Sequence, residues 1–241
     1  MDEHIPLGRH RRAAPPLRDI APLLERITAR LAARHGRAFS AETVERYVEE
    51  CSWVLSAKAR VGTHLAVLVE RFADQRLGAL ARGMGLSPKP VPEVLFVCTE
   101  NAGRSQLAAA LLRHRAGDGV RVLTAGSDPG PAIAPVVLRL LAEEDLDPGE
   151  EFPKPLTAEV VTAADVVVTL GCGDACPVRP GRRYLDWDLP DLGGLDIESA
   201  RAVRDALATR VDALVGELLA AEVPGPESAP VHPPGGRPLG R

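Results

Sequence analysis

The spacing of apolar and polar positions changes once along the chain, and the change divides it in two. From Leu17 to Leu80 the apolar residues recur at helical spacing. Leu17, Ile20, Leu24, Ile27 and Leu31 fall on one helical face. Val44, Tyr47, Val48, Cys51, Val54 and Leu55 fall on a second, behind Ser40, a residue suited to cap a helix N-terminus. Leu65, Leu68, Phe72, Leu77 and Leu80 form a third, and Gly36 and Gly62 interrupt the pattern where turns are needed. Three amphipathic helices with short connections predict a small bundle over residues 17–84. Cys51 lies on an apolar face and reads as a packed core thiol. Trp53 and Arg60 flank that face, either docking a second unit or standing in solvent.

After the Pro-rich residues 85–92, short apolar runs alternate with helical patterns. Strands are predicted at 94–97, 120–125, 166–170 and 183–187, and helices at 104–115, 132–144 and 199–222. This alternation predicts an α/β domain over 93–222: a four-stranded parallel sheet with helices on both faces. A ligand site then belongs at the carboxyl ends of the strands. The linker should isolate the bundle, which is expected to fold alone and to be dispensable for chemistry. Residues 1–16, charged and Pro-containing, and 223–241, rich in Pro and Gly, are expected to be disordered.

Composition narrows the function classes. A net charge of −4 gives no reason to invoke nucleic acid or a membrane surface. No run of 18 apolar residues occurs, and the N-terminus has no apolar signal region. Four cysteines (Cys51, Cys98, Cys172 and Cys176) are too few for a disulfide scaffold in 241 residues. A cytoplasmic protein with working thiols is the expectation. Cys172 and Cys176 alone supply two ligands where structural zinc wants four, so no metal site is expected.

The candidate chemistry sits in one string. The strand 94–97 runs into Cys98, Thr99, Glu100, Asn101, Ala102, Gly103, Arg104 and Ser105, the spacing Cys-x5-Arg-Ser, and then into a helix. Five residues between Cys and Arg let the backbone curl around one tetrahedral oxyanion, with loop N–H groups and the helix N-terminus pointing inward. Arg104 offers a planar fork for two oxygens of that anion. The same field favours a thiolate, so Cys98 is the expected nucleophile. Asn101 can brace the loop and Ser105 can hydrogen-bond the sulfur, or the two can serve as a plain turn and helix cap. A leaving oxygen needs a proton donor, and Asp186, Trp187, Asp188, Leu189, Pro190 and Asp191 follow the fourth strand in a loop that can reach the pocket.

Cys98 to Ser105, with Asn101 and the following Gln106, resembles the low-molecular-weight tyrosine phosphatase superfamily. The Arg-Ser-Gln ending resembles its arsenate reductase branch, and Asn-Ala-Gly-Arg-Ser-Gln is similar to actinobacterial reductases that depend on mycothiol, some of which carry an N-terminal three-helix bundle. The resemblance implies arsenate as substrate and no bound cofactor. It implies a thiol co-substrate, mycothiol or similar, with a glutaredoxin-like or thioredoxin-like reductant. It places the general acid at Asp191, with Trp187 as anchor; the family's usual Pro after the acid is Leu192 here, so Asp188 stays an alternative. Some thioredoxin-linked members hold potassium with a Glu at the position of Ala109, so no such ion is expected. Those members also carry two cysteines where Cys172 and Cys176 stand, more widely spaced. The shorter spacing here favours an external thiol, with Cys172 and Cys176 auxiliary. Three alternatives remain: a thioredoxin-linked reductase using both cysteines, a tyrosine phosphatase, and a non-catalytic anion sensor. The sparse aromatics near Asp191, together with Gln106, speak against the phosphatase.

Overall fold

The computed structural model describes residues 20–57, 64–171 and 176–220. The expectations for residues 1–16 and 223–241, and those for Leu17, Arg60, Gly62 and Cys172, lie outside the described residues.

The first three helices are α1 (Ala21–His35), α2 (Ala41–Ser56) and α3 (Leu65–Gly83). Ser40 caps α2 by accepting the Thr43 N–H at 3.2 Å. Ile27, Leu31, Val44, Val48, Cys51, Val69, Phe72 and Leu77 close the bundle core. Cys51 is fully buried, with Arg76 Nη1 donating to its sulfur at 3.5 Å. Burial pushes the Cys51 thiol up to about 11, against the pull of Arg76, which leaves a packed, unreactive thiol. Trp53 is 41% exposed and stands in solvent.

The second unit has strands β1 (Glu93–Cys98), β2 (Arg121–Gly126), β3 (Val166–Thr169) and β4 (Arg183–Asp186). They form one sheet in the order β2-β1-β3-β4, with every pair parallel. Helices α4 (Arg104–Ala116), α5 (Pro135–Glu143), α6 (Ala158–Ala163) and α7 (Ile197–Ala220) complete it. The expected architecture is present, with shifted ends. Helix α5 begins at Pro135, not at residue 132, because Pro favours the first helical turn. Helix α6, which the sequence pattern does not reveal, has only six residues, too few to show a period.

Alternation along β1 feeds two cores. Val94, Phe96 and Cys98 pack with α4, α5 and α7. Leu95 and Val97 pack on the other face with Val160, Val161 and Ala163 of α6 and with Ala79 of α3. The bundle therefore helps cover the second face of the sheet, which short α6 contacts only in part.

The linker does not isolate the two units. Arg76 of α3 pairs with Glu159 of α6 at 2.9 Å, and the Tyr47 hydroxyl donates to the same carboxylate at 2.8 Å. Glu93, fully buried at the start of β1, pairs with Arg82 of α3 and with Arg121 at 3.1 Å. Within the linker, Lys89 pairs with Asp165 at 2.7 Å.

Candidate active site

Strand β1 delivers Cys98 to the carboxyl edge of the sheet, where a parallel sheet gathers its ligands. Beyond it the chain folds into a loop whose carbonyls face outward. Those of Cys98, Thr99, Glu100 and Ala102 accept the N–H groups of Ser127, Asp128, Gly130 and Ala134 at 2.7 to 3.2 Å. The Asn101 carbonyl accepts from Gln106 Nε2 at 3.0 Å. Successive carbonyls bonded outward are an arrangement in which loop amides can take an anion. The Asn101 N–H already points at the Cys98 sulfur, at 3.2 Å. Gly126 makes room for the curl: a Cβ there would lie 2.6 Å from the Thr99 carbonyl oxygen.

Asn101 has φ +50°, a left-handed conformation that Asn tolerates better than most residues. Its side chain is held at both ends. Nδ2 donates to Ser105 Oγ at 3.0 Å, and Oδ1 accepts the Lys154 N–H at 2.9 Å. Ser105 Oγ lies 2.9 Å from Cys98 Sγ. Because that oxygen accepts from Asn101, its own hydrogen is available to donate to sulfur. Cys98, Asn101 and Ser105 are all buried.

Arg104 opens α4. Its Nη1 donates to the Leu189 carbonyl at 2.8 Å, and its Nε lies 3.6 Å from Asp191 Oδ1. Asp191 is exposed, its Oδ1 accepting the Leu192 N–H at 2.8 Å. The loop after β4 thus brings Asp191 beside Arg104 and next to Gly103. Asp186 is drawn back to the sheet, accepting from Thr169 Oγ1 at 2.6 Å. Asp188 is exposed, and its carbonyl accepts from Arg210 at 3.2 Å. Of the three carboxylates, Asp191 is the one tied to the Cys98 loop.

A family model described as low molecular weight phosphotyrosine protein phosphatase matches residues 93–224, more than half of the chain. The chain belongs to that family. A second model, the N-terminal domain of protein-tyrosine-phosphatase-like proteins, matches residues 24–81, so this family member carries a helical extension. Arsenate reductase 1 of Bacillus cereus is 31% identical over 122 residues, covering 49% of this chain and 90% of the relative. An arsenate reductase of Staphylococcus aureus is 28% identical over 123 residues, 49% and 92% of the two chains. The solved structure of a thioredoxin-dependent arsenate reductase from Corynebacterium glutamicum is similar over bundle and catalytic unit together. It is 43% identical, with a TM-score of 0.78 over 84% of this chain and all (100%) of that one.

Within this family frame, several polar neighbours of the loop escaped the sequence reading. Thr124, on β2, donates to Glu151 Oε2 at 3.1 Å. Glu151 also pairs with Arg113 at 2.6 Å and with the buried ammonium of Lys154. Burial pushes the Glu151 carboxyl up, but Lys154 and Arg113 outweigh it and hold the group below the ordinary carboxylate range. The signal for Lys154 was thin: a single cation between two prolines, in a stretch without periodicity. Among the described residues, no three His, Cys, Asp or Glu side chains gather as metal ligands, and no helix is long and apolar enough to cross a membrane.

Proposed function

We propose that the protein is an arsenate reductase that draws its electrons from a thioredoxin-like dithiol. The observation that carries the reading is the likeness to the Corynebacterium thioredoxin-dependent enzyme, which extends through the bundle as well as the catalytic unit. The site supports it. Cys98 is the nucleophile, Arg104 and the amides of residues 99–105 hold the oxyanion, and Asp191 is the general acid.

In this scheme Cys98 Sγ bonds to the arsenic of arsenate, and one oxygen leaves as water with a proton from Asp191. A second thiol then attacks Cys98 Sγ. A disulfide forms, the S–As bond electrons stay on arsenic, and arsenite departs. The Gly171 carbonyl accepts from Thr99 Oγ1 at 3.2 Å, and Cys172 is the next residue in the sequence. Attack by Cys176 on Cys172 would then free Cys98 and leave a Cys172–Cys176 disulfide for thioredoxin to reduce.

Mycothiol with a glutaredoxin-like partner, the resolving thiol favoured by the short Cys172–Cys176 spacing, is the second reading. Likeness to the thioredoxin-dependent enzyme weighs against it. Tyrosine phosphatase activity would use the same three residues. Arsenate-dependent thiol consumption measured beside phosphate release from an aryl phosphate separates the chemistries. The reductase reading requires the first and fails if only the second is seen.

A further inference from the structure

We propose that Phe152 and Lys154 are positioning residues through which the helical bundle sets the geometry of the Cys98 loop. The Phe152 side chain packs against the bundle core that contains Phe72 and Ala73. Its carbonyl accepts from Gln106 Nε2 at 3.4 Å, the same nitrogen that donates to the Asn101 carbonyl. Two residues on, the Lys154 N–H donates to Asn101 Oδ1 at 2.9 Å, while the Lys154 carbonyl accepts the Gly126 N–H at 2.8 Å. One short strap thus touches the bundle core at one end and the catalytic loop at the other.

The strap is stiff. Pro153 and Pro155 flank Lys154, and each fixes its φ. The Lys154 ammonium is buried against Glu151, whose carboxylate is further held by Thr124 and Arg113, so the strap is anchored to β2 and α4. On the outside, Arg71 and Gln75 of α3 face the strap across a cleft of about 320 Å³, and Arg71 pairs with Glu150 at 2.5 Å. A shift of the bundle is therefore passed to Lys154 instead of being absorbed by slack chain.

Asn101 is where such a shift becomes chemical. Its left-handed backbone, which Asn adopts at modest cost, is held by bonds at both ends of its side chain. Loss of the Lys154 N–H leaves Asn101 Oδ1 only the longer contacts from Gln106 Nε2 at 3.3 Å and Thr124 Oγ1 at 3.4 Å, and loosens the amide that donates to Ser105 Oγ. The serine hydroxyl then no longer has to aim its hydrogen at Cys98 Sγ.

The inference rests on the Cys98 loop being an oxyanion cradle, and it can be read without arsenate. Alkylation of Cys98 in the full-length protein is followed by peptide mapping, with inorganic phosphate as the protecting anion and buried Cys51 as an internal report on the fold. Phe152→Ala is expected to raise the phosphate concentration for half-protection by about tenfold or more, the scale of a small misplacement in a preorganised site. Cys51 should stay unreactive, and Phe152→Leu, which restores the packing, should protect within about twofold of wild type. If Phe152→Ala does not fold, Phe152→Val is read in the same way. Protection at the wild-type concentration would overturn the proposal. So would protection lost only where Cys51 also reacts, since the bundle would then merely hold the fold together. If phosphate protects the wild-type protein and Phe152→Ala weakens that protection as expected, but the wild-type protein does not turn over arsenate, the functional reading fails and this one stands.

Discussion

Gly171 stands directly against Arg104: a Cβ at residue 171 would lie 2.8 Å from Arg104 Nη1. Gly171 has φ +69°, so a side chain there would be strained as well as crowded. The residue that leads into the Cys172–Cys176 segment therefore touches the side chain proposed to hold the anion.

Gly171→Ala is expected to displace Arg104 from its present seat. The kcat/KM for arsenate should fall by about a hundredfold, the cost of an ångström-scale misplacement, with KM rising. Steady-state kinetics on a variant with an unchanged circular dichroism spectrum measures this. Wild-type KM would mean that Arg104 does not grip the anion from its position beside Gly171.

Asp191 and Asp188 are separable. Asp191 lies beside Arg104, whereas only the backbone carbonyl of Asp188 makes a described bond, to Arg210. Asp191→Asn should lower kcat by about 10²- to 10⁴-fold, while Asp188→Asn should change kcat little. The reverse order of effects would move the acid to Asp188.

Glu159 makes the contact between bundle and catalytic unit sensitive to acid. Burial pushes its carboxyl up, but the charge and hydrogen bond of Arg76 outweigh burial and hold it below the ordinary range. A group depressed in the folded state contributes stability above its unfolded value of about 4.3, and the contribution is lost as pH falls through the folded value. At neutral pH, Glu159→Gln should cost about 1.5–3 kcal/mol, the scale of one hydrogen bond to a charged group, since buried Arg76 loses one carboxylate and keeps Glu50 at 3.1 Å. Below about pH 4.3, urea midpoints should fall more steeply in wild type than in the variant, so the two curves converge. Parallel curves would show that the pair carries no linked proton.

Much of this was legible because it rests on local pattern. Periodicity marks the helices before residue 84, and apolar runs mark β1 and β3, the inner strands, since burial on both faces of a parallel sheet forces such runs. Cys98, Arg104 and Ser105 could be read as one site because the loop closes within eight residues. What stayed hidden depends on distant chain segments meeting. Nothing near Lys154 indicates that its N–H will meet Asn101, 53 positions earlier. The spacing of Arg76 and Glu159 likewise gives no hint that α3 will lie against α6. The expectation of an isolated bundle followed from its self-closing apolar faces and the Pro-rich linker; the pairs Arg76–Glu159 and Arg82–Glu93, which join it to the catalytic unit, have no local signature.

Thioredoxin-coupled turnover tests the central claim most directly. Arsenate-dependent NADPH oxidation is followed with thioredoxin and thioredoxin reductase, and in parallel with mycothiol and a glutaredoxin-like partner. Wild type is predicted to turn over with thioredoxin alone. Cys98→Ser and the double variant Cys172→Ser, Cys176→Ser are both predicted to be inactive in that assay. Wild type that is inert with thioredoxin, but turns over with mycothiol whether or not Cys172 and Cys176 are present, would contradict the account.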